Sequence, residues 1–328
     1  MTRLMRRALV AAAMAAPLMA GAAVAQGQFP NRTITIIVPF AAGGPTDTVT
    51  RLVAEAMGRD LGQTVVVENV GGAGGTLGAA RVAQARPDGY TLLLHHIGMA
   101  TAPTLYRRLP YDAVNGFETI GLVTEVPMTL VARPDFPAGT LQEAIAVIRE
   151  RRENLNYANA GIGAASHLCG LLLMSQVDAP MTTVPFRGTG PAMQELMSGR
   201  VDLMCDQTTN TTEQIRGRTV KVFAVTTPER VTSLPEVPTT REAGLSGFEV
   251  SVWHGLYAPR GTPAPVVERL SRGLQAALRD PRLIARFAEL GTTPVAQERA
   301  TPQVHRAFWQ ADIAKWRPLI QAAGQYAD

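Results

Sequence analysis

The sequence predicts an α/β protein built from two βαβαβ units, one at the centre of each of two lobes, with a two-strand hinge and a cleft between them. Three observations predict this. Buried-strand patterns alternate with helical ones in two separate stretches of the chain. The first strand of each stretch runs into a glycine-bearing turn that opens a helix. Between the stretches, Phe117 to Arg133 looks extended for 17 residues, about 56 Å at ~3.3 Å each, too long for one strand of a small lobe. The 328 residues, 46% hydrophobic and 18% charged, hold apolar material for one large or two ordinary domains and exclude a disordered or collagen-like chain.

The N-terminus reads as a signal peptide over residues 1–25. Arg3, Arg6 and Arg7 precede an apolar run from Ala8 to Met19, and Ala23-Val24-Ala25 is a small-x-small cleavage site that would leave Gln26 first. The run falls short of the ~20 apolar residues that span a bilayer, and no Cys near the cut would carry a lipid. The mature chain is expected outside the cytoplasmic membrane. The formal net charge of +4 falls to +1 without those three arginines, too small to argue for nucleic acid, which needs a basic face.

In the first lobe, Thr33 to Phe40 reads as a buried strand. Asp47 is a candidate cap for the next helix, where Val49, Leu52, Val53, Ala56 and Met57 make an apolar stripe that Gly62 ends. A strand from Thr64 to Glu68, a Gly71-Gly72-Ala73-Gly74-Gly75 cluster with a short helix, and a strand from Tyr90 to His95 complete the unit. Thr140 and Glu143 form a capping box for a helix before the second unit. That unit comprises strand Leu155 to Ala160, helix Ser166 to Gln176, strand Thr182 to Phe186, helix Pro191 to Met197 and strand Val201 to Cys205. Pro127 interrupts the long extended stretch, placing the hinge near Thr124 to Met128, with the return along Val220 to Thr226. The expected division is therefore 26–124 and 227–328 for lobe one and 125–226 for lobe two, with helices opening at Pro263 and Pro302 packing back on lobe one.

Several chemistries lack their residues. The five histidines, His95, His96, His167, His254 and His305, form no H-E-x-x-H, and adjacent His95 and His96 on a strand point to opposite faces, so no metal is expected. No G-x-S-x-G surrounds Ser166, Ser198 or Ser246, which leaves hydrolase chemistry unsupported. The glycine cluster fails dinucleotide spacing because Leu77 stands where the third glycine belongs, and reads as a tight backbone turn. No cofactor is expected.

The two strand-to-helix turns are more informative. Pro39 to Asp47 and Asn159 to His167 follow the first strands of the two units, at the carboxyl ends where open α/β sheets bind ligands. Glycine lets a ligand approach the backbone, and helix N-terminal N–H groups attract anions. Neither turn holds Lys or Arg, so an anion would be held by amides, hydroxyls and water.

Five ordered motifs carry a resemblance: P-F-A-A-G-G-P-T-D-x-x-x-R ending at Arg51, E-N-V-G-G-A-G-G-T from Glu68, R-P-D-G-Y-T-L from Arg86, V-P-F-R-G-T-G-P-A from Val184 and A-P-R-G-T-P from Ala258. From Phe29 to its C-terminus the chain resembles the Bug or TctC family, periplasmic solute-binding proteins of tripartite tricarboxylate transporters. The resemblance implies a type II periplasmic-binding fold, or Venus flytrap, a small carboxylate ligand, no enzymatic activity, and membrane transporter subunits or a sensor as partners, with the chain itself a monomer. It also implies that the loops matching Phe40 to Asp47 and Ala160 to His167 hold a ligand carboxylate. The candidate binding set is Phe40, Ala42, Gly43, Gly44, Thr46, Asp47, His96, Ala160, Gly161, Gly163, Ala164, Ser166 and Asp206.

His96 stands where the family often has a small polar residue, and is read either as a ligand contact or as a packed histidine. Arg187 reads as a solvated or ion-paired turn residue in preference to a ligand contact, and Trp253 as core in preference to cleft lining. A secreted enzyme on the same scaffold is the alternative function, since fold does not fix function; it would need a poised acid–base pair, for which Asp47, Asp206 and His96 are the candidates. Cys169 and Cys205, an even count in an exported chain, are expected to pair, the alternative being two buried thiols.

Overall fold

The computed structural model describes residues 29–323, 326 and 327, and the signal-peptide pattern lies outside them. In the first half, β1 (Ile34–Val38), α1 (Pro45–Leu61), β2 (Val65–Asn69), α2 (Thr76–Ala83) and β3 (Thr91–His96) form the expected βαβαβ unit, with β1 parallel to both β2 and β3. On α1, Val49, Val53, Ala56 and Met57 are buried and Leu52 packs against the same core, and Gly62 at φ 66° ends the helix. Asp47 does not cap it. Gly44 is the N-cap and Asp47 lies in the first turn.

A short helix, α3 (Gly98–Leu105), leads to β4 (Phe117–Ala132), one continuous 16-residue strand. Pro127 does not interrupt β4, because it stands where the strand changes partners and a missing N–H is tolerated. The second half then builds α4 (Leu141–Arg151), β5 (Asn156–Asn159), α5 (Ala165–Val177), β6 (Thr182–Pro185), α6 (Thr189–Met197) and β7 (Leu203–Gln207). Here β5 is parallel to both β6 and β7. The Thr140–Glu143 capping box opens α4 as expected.

The sequence pattern did not reveal α7 (Thr208–Arg216), whose Thr-rich stretch has no apolar stripe. Tertiary contacts hold it: the hydroxyls of Thr208 and Thr212 donate to the carbonyls of Gly291 and Leu290, overriding weak propensity. The chain continues as β8 (Lys221–Val225), β9 (Ser251–Pro259), α8 (Ala264–Leu278), α9 (Pro281–Glu289), β10 (Thr293–Pro294) and α10 (Pro302–Ala323). The sheet order is β2-β1-β3-β9-β4-β7-β5-β6, with β8 and β10 also on β4. Residues Phe117 to Pro127 of β4 pair with β9 and Met128 to Ala132 with β7, so this strand joins the two halves.

The return crossing lies later than Val220 to Thr226. Residues 227–250 stay with the second half: Val225 N–H donates to Pro238 O, Gln176 Nε2 to Ser246 O and Arg216 to Ser233 O. Only after Val250, whose N–H donates to Thr226 O, does β9 enter the first half. The buried Thr226 also exchanges backbone and hydroxyl hydrogen bonds with Met128, so one threonine ties both crossing strands. We therefore place the hinge at Pro127–Met128 and Val250–Ser251.

Cys169 on α5 and Cys205 on β7 are joined in a disulfide, with Cα atoms 6.1 Å apart and a sequence separation of 36. Replacing both with Ser should cost about 3–4 kcal/mol of unfolding free energy in the chain-entropy account. Denaturant titration checks this, and an unchanged midpoint would reject it.

Candidate ligand-binding site

The carboxyl ends of the parallel strands of both halves face one cleft. From the first half, Phe40, Gly44, Pro45, Thr46 and His96 line a cavity there. From the second come Ala160, Ala165, Ser166, Thr189, Asp206 and Gln207. Four helices begin at this wall: α1 after Gly44, α5 at Ala165, α6 at Thr189 and α7 after its N-cap Gln207. First-turn N–H groups have no partner inside their own helix, so the wall is rich in donors and carries the positive ends of four helix dipoles. No Lys or Arg lines it.

The halves touch across this cleft. Ala41 N–H donates to Arg187 O at 2.8 Å, Thr101 Oγ1 to Gly163 O at 3.2 Å, and the Tyr106 hydroxyl to Ile162 O at 2.8 Å. The cavity between them measures about 10 Å³, on the scale of one water molecule. Anything larger than a water molecule is admitted only when the halves separate.

The structure divides the expected binding residues into wall and frame. Phe40, Gly44, Thr46, His96, Ala160, Ser166 and Asp206 are at the wall. Asp47 is frame: its carboxylate accepts from Gly43 N–H, Arg51 and Asn69 at 2.9–3.0 Å. Burial pushes its carboxyl up, but those hydrogen bonds outweigh it and hold it below the usual carboxylate range. Gly43 spends its N–H on Asp47 and, with Ala42, is exposed. Gly161 donates to Asn159 Oδ1 and Gly163 to His167 Nδ1, so these glycines shape the turn with φ of 101° and 83° and do not line the cavity. Ala164 is the N-cap of α5. Pro45 and Ala165, within the two turns that the sequence points to, also line the cavity, as do Thr189 and Gln207, which it does not single out. The same strand-end rule that found the two turns reaches Thr189 after β6 and Gln207 at the end of β7.

His96 is both packed and lining. Its ring stacks on Phe40 with centroids 4.7 Å apart, and its Nδ1 accepts from Gly98 N–H, which leaves Nε2 to carry the proton. Burial lowers its pKa to about 3, so it is neutral. Asp206 is fully buried; burial pushes its carboxyl up to about 6, against hydrogen bonds from Asn210, the Gln207 N–H and Thr189. Arg187 is exposed, and its backbone carbonyl closes the cleft. Trp253 is core, with its indole N–H donating to Asp312 at 2.8 Å.

The glycine cluster does more than turn the chain. A side chain at Gly74 would overlap the carbonyl of Ile162 across the cleft, and one at Gly71 would meet Arg187 O at 2.9 Å. These glycines let the halves come together.

A profile of the tripartite tricarboxylate transporter family receptor, TctC, matches residues 49–325. The chain belongs to this family. Among solved structures, periplasmic binding protein BugD is 49% identical, with a TM-score of 0.89 over 92% of this chain and 100% of that one. MatC from Rhodopseudomonas palustris, solved with bound malate, is 44% identical, with a TM-score of 0.86 over 89% and 100% of the two chains. A second R. palustris protein, solved with adipate, is 31% identical, with a TM-score of 0.85 over 90% and 98%. The chain therefore has the bilobal periplasmic-binding fold. No helix among its described residues is long and apolar enough to cross a membrane.

Proposed function

We propose that this chain is a periplasmic receptor that captures a small carboxylate between its lobes and presents it, with the cleft shut, to the membrane subunits of a tripartite tricarboxylate transporter. The observation that carries the reading is the convergence of four helix N-termini on a cleft whose wall contains no Lys or Arg. Such a wall stabilises an anion through oriented N–H groups and dipoles, without a salt bridge to lock it in place. Malate and adipate in two family structures support a carboxylate. Export through residues 1–25 and the absence of catalysis belong to the same proposal.

Because the wall is shared between halves, a ligand touching both binds the shut form better and shifts the population toward it. Titrating the mature protein with malate in a calorimeter, with small-angle scattering on the same samples, should show saturable heat and a falling radius of gyration. Tight binding with an unaltered scattering curve would reject closure. Mass spectrometry of a co-purified ligand lacking any carboxylate would reject the carboxylate.

A further inference from the structure

We propose that Asp206 is a specificity-determining residue of the cleft, selecting a carboxylate that also carries a hydrogen-bond donor, a hydroxyl or an ammonium, on the carbon next to the carboxylate. This rests on the reading of the cleft as a carboxylate site.

The wall is not uniform. Donors dominate it: the first-turn amides of four helices and the Nε2–H of His96. Against them stands one acceptor patch on the β7–α7 corner, made of the Asp206 carboxyl, 1% exposed, and the Gln207 side-chain oxygen, on a residue 3% exposed. That Gln207 Oε1 is buried with no hydrogen-bond partner among the described residues. Asp206 receives Asn210 Nδ2, Gln207 N–H and the Thr189 hydroxyl, and a carboxylate offers about four acceptor positions. One position on Asp206 and one on Gln207 therefore remain for a ligand.

A plain dicarboxylate satisfies the donors and leaves this patch unmatched. A hydroxyl or ammonium next to the bound carboxylate fills the open acceptor positions with its hydrogen. Buried acceptors left unpaired by an analogue lacking the donor are a strong source of discrimination. The other titratable groups facing Asp206 are His96 across the cavity and Tyr157 behind it. Burial keeps the first uncharged by lowering its pKa and the second by raising it.

Succinate, malate and aspartate share one carbon skeleton and differ by hydrogen, hydroxyl or ammonium at a single carbon, so they are the probes. Calorimetric titration of the mature wild-type protein should find malate, aspartate or both about tenfold or more tighter than succinate. Malate ahead identifies the hydroxyl as the donor, and aspartate ahead the ammonium. In Asp206→Asn, which keeps the shape but loses the charged acceptor, the preference should shrink to within about threefold while succinate binding persists. The wild-type panel needs no variant to fold, so it tests the proposal by itself. Equal affinity for all three ligands would overturn the donor rule and leave the carboxylate reading standing. An unchanged preference in an Asp206→Asn protein that still binds succinate would overturn the role of Asp206. Wild-type protein that binds none of the three would overturn this proposal, and the mass spectrum of the co-purified ligand then decides the carboxylate reading by itself.

Discussion

Gly74→Ala should abolish tight ligand capture while the protein still folds. Gly74 has φ +61° and faces the Ile162 carbonyl across the cleft, and a Cβ built at Gly161 would in turn meet Gly74 N at 3.0 Å. A methyl group there cannot coexist with the contacts that bring the halves together, including the Tyr106 hydroxyl bond to Ile162 O. The variant holds ligand on one lobe only, and we expect affinity to fall about 100-fold or more, roughly 3 kcal/mol. The left-handed backbone adds a stability cost of about 1–2 kcal/mol. Gly43→Ala is the matched control, because Gly43 has φ +78° but open space where a side chain would sit. It carries the same backbone cost without the clash. Calorimetry and a melting curve on both variants separate the effects: equal affinity losses, or none in Gly74→Ala, would show that cross-cleft contact at Gly74 does not govern binding.

Acidification should unfold the protein sharply between about pH 6 and pH 4.5. Burial lowers all five histidines: His96 and His305 to about 3, His167 to about 4, and His95 and His254 well below the ordinary value, the last two also through neighbouring imidazoles. The sign follows from proton counting. Below pH 6.5 the unfolded chain binds protons that these buried rings refuse, so the stability present above that pH is lost as pH falls. Each ring costs about 2 kcal/mol at pH 5 relative to pH 7, and five together approach the whole stability of a typical domain. Asp206, raised to about 6, works the other way and returns only about 1 kcal/mol over that range. Urea midpoints measured across pH 7.5 to 4.5 check this, and the loss should be partly relieved in His305→Gln. A midpoint constant to pH 5 would show that these rings are protonated in the folded state.

Local sequence carried the repeating backbone plan. Alternation of apolar strands with amphipathic helices is set by periods of 2 and 3.6 residues, so β1, α1, β5 and α5 were legible to within two or three residues at each end. Glycine at the strand-to-helix turns marked the carboxyl ends where ligands bind, and the two cysteines of one unit marked their pairing. What a local pattern does not report is which atoms a turn leaves unbonded. Gly43 and Gly44 are neighbours of the same type, yet one spends its amide on Asp47 and faces solvent while the other lines the cleft. Nor does it report partners far away in the chain: α7 exists as a helix because its threonines find carbonyls 78 and 83 residues later. Gly74 looks like a turn residue until Ile162 is placed against it. The cleft, its donors and its single acceptor corner come from strand ends some 40 to 200 residues along the chain, brought to one wall by the sheet order. Burial and hydrogen bonding at that wall depend on what the other half supplies, and only the tertiary structure decides it.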